Sequence, residues 1–133
     1  MPDKSVADKL LVKPGYKVLI VDPPGDYLPM MGDLPPGAIL LKKATPETDL
    51  IQVFLTSKKE MEQKLPVLKT AMKPGELLWA TYPKGTSKVK TDINRDIIAS
   101  YVRTIGLVGV AMISIDDTWA ALRLRPIKAT DRL

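Results

Sequence analysis

Lys84, Gly85, Thr86, Ser87, Lys88, Lys90 and Thr91 fall within eight residues, directly after an apolar run and directly before an amphipathic one. Lysines supply positive charge, glycine supplies unusual backbone dihedrals, and hydroxyls add donors. A helix beginning after such a loop presents free amides that favour anions. Phosphate or carboxylate is therefore the expected guest, although the spacing is not that of a Walker loop, because no second glycine precedes the lysine. Thr91 or Asp92 is expected to cap the following helix. Asn94, Arg95 and Asp96, in its first turn, are candidate ligands, and equally ordinary first-turn polar residues, Asp96 suiting the positive end of the helix dipole. Arg95 is also expected to pair with Asp116 or Asp117, since a guanidinium fits a two-point carboxylate contact. Asp116-Asp117 before Thr118 reads as a turn; a hard metal would need several further oxygens that the pattern does not supply, so no metal is expected.

The chain contains no cysteine and no histidine. Disulfides, thiolate metal sites, cysteine nucleophiles and every imidazole-based triad are thereby excluded. Any chemistry must use carboxylates, lysines, hydroxyls or backbone amides. A formal net charge of +5 leans toward anionic partners, but the 15 acidic residues are interspersed among the 20 basic ones, so the lean is mild. The opening residues show no basic segment followed by an apolar one, which gives the expectation of a cytoplasmic location. The apolar run 107–113 is far short of the roughly 20 residues of a membrane-spanning helix.

The elements that must position these side chains alternate between strand and helix. Ser5 can cap a short helix carrying Val6, Leu10 and Leu11 on one face, closed by Lys13-Pro14-Gly15. Residues 16–21 form a strand whose Val18 to Val21 run is apolar throughout, as in a parallel strand covered on both faces. Asp22-Pro23-Pro24-Gly25 must end it, because proline cannot donate to a ladder. A Met-rich helical turn over 27–32 and a strand over 38–41 follow. The strand 49–56 is too apolar for one-sided burial and belongs inside the sheet. Ser57 with Glu60 makes a capping box for a helix with Met61, Leu65, Leu68 and Met72 on one face, kinked at Pro66.

A strand over 76–81 leads into the lysine loop. The next helix, 92–105, turns Ile93, Ile97, Tyr101, Val102 and Ile105 inward and stops at Gly106. The strands 107–115 and 119–125 are separated only by Asp116-Asp117-Thr118, which permits a hairpin but no crossover helix. The expected architecture is a single α/β domain over residues 1–133. It is three-layered and Rossmann-like, with a mostly parallel mixed sheet and a C-terminal antiparallel hairpin.

Lys73-Pro74-Gly75-Glu76-Leu77-Leu78-Trp79 resembles the LKPGGxLxV turn and strand of class I S-adenosylmethionine-dependent methyltransferases. KPGYKVLIVDPPGDY (13–27), KPGELLWATYPKGTSKVKTDINRD (73–96) and IDDTWAALRLRP (115–126) together resemble a family of small uncharacterised bacterial proteins with a degenerate methyltransferase-like fold. The resemblance implies that the fifth strand runs parallel to its neighbours and brings Asp116, Asp117 and Trp119 beside the lysine loop. It also implies a cofactor position at Asp22, Pro23 and Gly25. The motifs depart from the family there: one glycine stands in the turn after the first strand, and Lys42-Lys43 replace the acid that would hold the ribose hydroxyls. Asp22-Pro23-Pro24 is not the Asp-Pro-Pro-Tyr motif of amino-group methyltransferases, being on another strand and followed by Gly25 instead of an aromatic.

The expected function is a module binding a small anion or a protein partner through Tyr82, Lys84, Gly85, Thr86, Ser87, Lys88, Thr91, Asn94, Arg95, Asp116, Asp117 and Trp119, with no cofactor predicted. The alternative is an S-adenosylmethionine-dependent methyltransferase with an atypical pocket of Pro23, Gly25, Tyr82 and Trp119. Nucleic-acid binding is disfavoured because aromatics make up 5% of the chain, too few for a stacking platform. A structural subunit dimerising through an exposed sheet edge is the remaining reading.

Overall fold

The apolar runs read from the sequence become six strands: β1 (Lys17–Val21), β2 (Ile39–Leu41), β3 (Leu50–Phe54), β4 (Leu77–Pro83), β5 (Leu107–Ser114) and β6 (Trp119–Pro126). They join in one sheet of order β2-β1-β3-β4-β6-β5. The computed structural model describes residues 6–25, 27, 34–43, 45, 47–71, 76–85 and 89–128. Ser5, Asp26, most of the 27–32 turn, Met72, the 73–75 turn, Thr86, Ser87 and Lys88 lie outside the described residues.

β1 to β4 are parallel, and β6 lies antiparallel between β4 and β5. The expected mixed sheet with a closing hairpin is therefore present, with one correction. β5 does point the same way as β4, but its neighbour is β6, which runs against it. The three-residue link leaves no room for a crossover, so the last strand must turn back; it then slots beside β4 and pushes β5 to the edge.

β3 is buried at every position because it has a strand on each side and helices on both faces. Its pleat sends Ile51, Val53 and then Leu55 to one face, where Met61, Leu65 and Leu68 of α2 (Lys58–Ala71) and Ile98 and Val102 of α3 (Arg95–Thr104) cover them. Leu50 and Phe54 point the other way, onto Val6, Ala7 and Leu10 around α1 (Val6–Lys9) and onto Tyr27. The result is three layers. On the α1 face a buried polar chain runs from the Tyr27 hydroxyl to Gln52 Oε1 (2.7 Å) and from Gln52 Nε2 to Thr81 Oγ1 (2.9 Å), while Trp79 Nε1 donates to the Leu10 carbonyl at 2.9 Å. The buried polar side-chain atoms of Tyr27, Gln52, Thr81 and Trp79 thus find partners, as a low-dielectric interior demands.

Several local expectations are corrected. Leu11 is 42% exposed with φ 68°, so it ends α1 in the left-handed region instead of sharing the inward face of Val6 and Leu10. The capping box at α2 is half formed: the Glu60 amide donates to Ser57 Oγ at 3.1 Å, but the Glu60 carboxylate bonds Thr56, not the Ser57 amide. In α3 the fully buried positions are Ile98 and Val102, with Ile97, Tyr101 and Ile105 partly buried around them. Gly106 has φ 87° and supplies the expected left-handed stop.

Candidate functional site

Parallel β1, β3 and β4 end at one edge of the sheet, and β1 lies between β2 and β3, so the chain direction across the sheet reverses between β1 and β3. Such a reversal leaves a crevice at the carboxyl edge, where open α/β sheets bind ligands. Asp22 stands there with φ 54°, a left-handed conformation costly for a residue with a Cβ. Its Oδ2 meets Lys64 Nζ of α2 at 2.6 Å. The same ammonium contacts Glu60 Oε2 at 3.0 Å and the Phe54 carbonyl at 3.4 Å.

Glu60 Oε1 accepts from the Thr56 amide at 2.8 Å and from its hydroxyl at 2.5 Å. The Thr56 hydroxyl is the largest influence holding the Glu60 carboxyl down to about 2; burial opposes it, and Lys64 and the Thr56 amide add to it. Burial works to lower the Lys64 ammonium, but Asp22 and Glu60 outweigh it and raise its pKa. The ends of β1 and β3 are thus tied to α2 by one charged cluster.

A second feature lies further along the same edge. A cleft of about 550 Å³ opens between the ends of β4, β5 and β6 and the start of α3, lined by Tyr82, Lys84, Gly85, Asn94, Arg95, Asp96, Met112, Ile113, Ser114 and Ala120. That volume suits a small molecule. Tyr82, Met112, Ile113 and Ala120 make its apolar part. Lys84 Nζ donates to Ser114 Oγ at 2.5 Å, and Arg95 Nε faces Asp96 Oδ1 at 3.5 Å. The Asn94 side-chain oxygen accepts from the Ile97 amide at 2.9 Å and so caps α3. Tyr82 is 5% exposed, and its hydroxyl contacts Met112 Sδ at 3.3 Å. Burial raises the Tyr82 pKa, with Arg95 pulling it down and Asp96 pushing it up, so both α3 charges are felt at the phenol.

Of the residues singled out from sequence, Tyr82, Lys84, Gly85, Asn94, Arg95 and Asp96 meet in this cleft. Tyr82 is in β4 instead of the loop, because β4 runs on to Pro83 against β6. Thr91 and Asp92 do not cap α3: Thr91 Oγ1 accepts from the Ile93 amide at 3.2 Å, and Asp92 Oδ1 accepts from the Lys58 amide at 2.7 Å, at the start of α2. Arg95 does not reach Asp116 or Asp117. Its ion pair is with Asp96, while Asp116 Oδ1 accepts from the Thr118 and Trp119 amides at 2.8 Å each and shapes the hairpin turn.

Asp116 and Trp119 do come close to the start of the lysine loop, where the Lys84 amide donates to the Thr118 carbonyl at 2.7 Å. Trp119 nevertheless does not line the cleft that Tyr82 lines. Tyr82 pairs with Ala120, so the pleat sends the adjacent Trp119 to the opposite face, where it packs edge-on to Phe54 with centroids 5.1 Å apart. The sequence reading missed Met112, Ile113, Ser114 and Ala120, whose approach depends on the hairpin register Met112↔Leu122 and Ser114↔Ala120. It also missed Lys64, for which the Glu60–Lys64 spacing of four on a helix was an available signal.

No protein-family model and no curated protein sequence matches the chain. Solved structures do. A SAM-dependent methyltransferase from Aquifex aeolicus superposes with TM-score 0.61 at 14% identity over 92% of this chain and 88% of that one. DhpI in complex with SAH gives 0.54 at 10% identity, covering 91% and 82%. LepI in complex with SAM gives 0.50 at 14% identity, covering 92% of this chain but 39% of LepI. The fold is methyltransferase-like: an α/β, Rossmann-like mixed sheet. Among the described residues no helix is long and apolar enough to cross a membrane, and no three acidic side chains converge as a metal site would require.

Proposed function

We propose that this chain binds S-adenosylmethionine at the carboxyl edge over β1 and β3 and acts as a methyltransferase on a small acceptor seated in the cleft over β4, β5 and β6. The likeness in fold supports this reading: a SAM-dependent methyltransferase matches over 92% of this chain and 88% of its own length, so neither protein has a large part without a counterpart in the other. A cleft for the second reactant at the same edge adds to it.

The residues at the crevice fit one end of the cofactor. Asp22, with its side chain 63% exposed, offers a carboxylate to a cationic amino-acid group, and Gly25 has open space around it for close backbone approach. Lys42 and Lys43 follow β2 and cannot accept hydrogen bonds from ribose hydroxyls, so that part of the usual recognition is not supplied there. When bound, the cofactor supplies an electrophilic methyl group whose bonding pair returns to sulfur as a neutral thioether. This chain's own contribution is positional: Lys64 holds Asp22 and Glu60 together, and Met112, Ile113 and Ala120 give the acceptor an apolar seat.

Calorimetry with S-adenosylmethionine and its demethylated product tests the reading. Saturable heat with both, weakened by Asp22→Ala, is expected; no heat with either refutes it. A second reading, binding of a small anion or a protein partner without cofactor, is favoured by Lys42 and Lys43 standing in place of the ribose acid. It predicts a rise in melting temperature with phosphate, sulfate or a nucleotide alone.

A further inference from the structure

The polar groups lining the β4–β6 cleft are unequal in kind. The Asn94 oxygen is occupied by the Ile97 amide, which leaves the Asn94 amide nitrogen as a donor. Lys84 uses one proton on Ser114 Oγ and keeps others. The guanidinium of Arg95, half exposed, has donors beyond those facing Asp96. The first-turn amides of Arg95 and Asp96 lie where no intrahelical carbonyl reaches. The Tyr82 hydroxyl, on a residue 5% exposed, has a thioether as its partner, a weak acceptor that a better one displaces. Against these donors the lining holds, among the described residues, a single carboxylate, Asp96, whose side chain is 84% exposed and turned to Arg95.

From this imbalance we infer that the cleft takes an amphipathic acid: a small molecule with an apolar or aromatic body lying on Tyr82, Met112, Ile113 and Ala120, and one carboxylate met by Lys84, Asn94 and Arg95. An amine of the same shape brings only donors to this wall of donors, and an amide offers one neutral acceptor in place of a charged carboxylate. The body explains why the seat is apolar instead of the open, wholly polar loop that would suit inorganic phosphate. The inference rests on the cleft being the acceptor site of the proposed methyltransferase, and it names the chemical class of that acceptor.

The test is calorimetric titration of the full chain with 2-naphthylacetate, 2-naphthylacetamide and 2-(2-naphthyl)ethylamine, each without cofactor. The acid is expected to saturate at least about tenfold more tightly than the amide, with the amine weakest. Lys84→Met and Arg95→Met should each weaken the acid about fivefold or more and the amide by clearly less, and raised salt should weaken the acid more than the amide. Lys84 is partly buried and the Arg95 side chain half exposed, so circular dichroism should report an intact fold. Equal binding of acid and amide, preference for the amine, absence of binding by all three, or indifference to both substitutions would overturn the inference. Titration of S-adenosylmethionine on the same protein separates the two ideas. Acid selectivity without cofactor heat keeps the acid site and removes the methyltransferase reading; cofactor heat without acid selectivity does the reverse.

Discussion

Replacing Glu60 by glutamine should destabilise the protein by an amount that depends on pH in a set direction. The side-chain oxygen of glutamine can still accept from the Thr56 amide and hydroxyl, so the substitution chiefly removes the negative charge between Thr56 and Lys64. The carboxyl titrates at about 2 in the folded chain against an ordinary 4.5, with the Thr56 hydroxyl the leading cause. Taken whole, that difference corresponds to an upper bound of about 3 kcal/mol. The side chain is 34% exposed, so solvent screening reduces the expected contribution to about 1–2 kcal/mol.

Because the folded value is depressed, the stabilisation is fully present above 4.5 and is lost as pH falls through about 2. Urea unfolding of wild type and Glu60→Gln, followed by tryptophan fluorescence between pH 7 and 2.5, should show a constant gap down to about pH 5 and a narrowing gap below it. A gap that stays the same at every pH, or that closes between pH 7 and 5, would refute the reasoning.

Asn94→Ala removes the side-chain cap of α3 and should cost about 1 kcal/mol in thermal unfolding, with a matching loss of cleft binding because the same residue lines it. Trp79→Phe leaves the buried Leu10 carbonyl without its indole donor; a loss of about 1–3 kcal/mol in urea titration is expected. Gly106→Ala forces a side chain into φ 87° with its Cβ 3.0 Å from Lys69 Nζ, and should cost about 1 kcal/mol or more, read as a lower melting temperature.

How much was legible depends on whether a feature is local. The alternation of apolar runs, the burial of β3, the Gly106 stop and the closing hairpin all follow from periodicity and turn chemistry within a few residues. The partners of polar side chains do not. Asp92 serves the start of α2, 34 residues away in sequence; Asp116 turns onto its own hairpin. A carboxylate bonds whichever amide the packing brings within about 3 Å, and sequence spacing ranks only the nearby ones.

Residue types alone determined what this protein cannot use, imidazole and thiol chemistry, and placed a lysine-bearing junction between a strand and a helix at 84–95. Only the tertiary structure decided which of those residues share a space. The pleat of β6 sends Ala120 into the cleft and Trp119 to the far side of the sheet. The register of β5 supplies Met112 and Ser114 as the wall facing Lys84. A one-residue slip in either strand would exchange the faces. The fold was therefore written in the pattern of each segment, while the site was written in the pairing between segments.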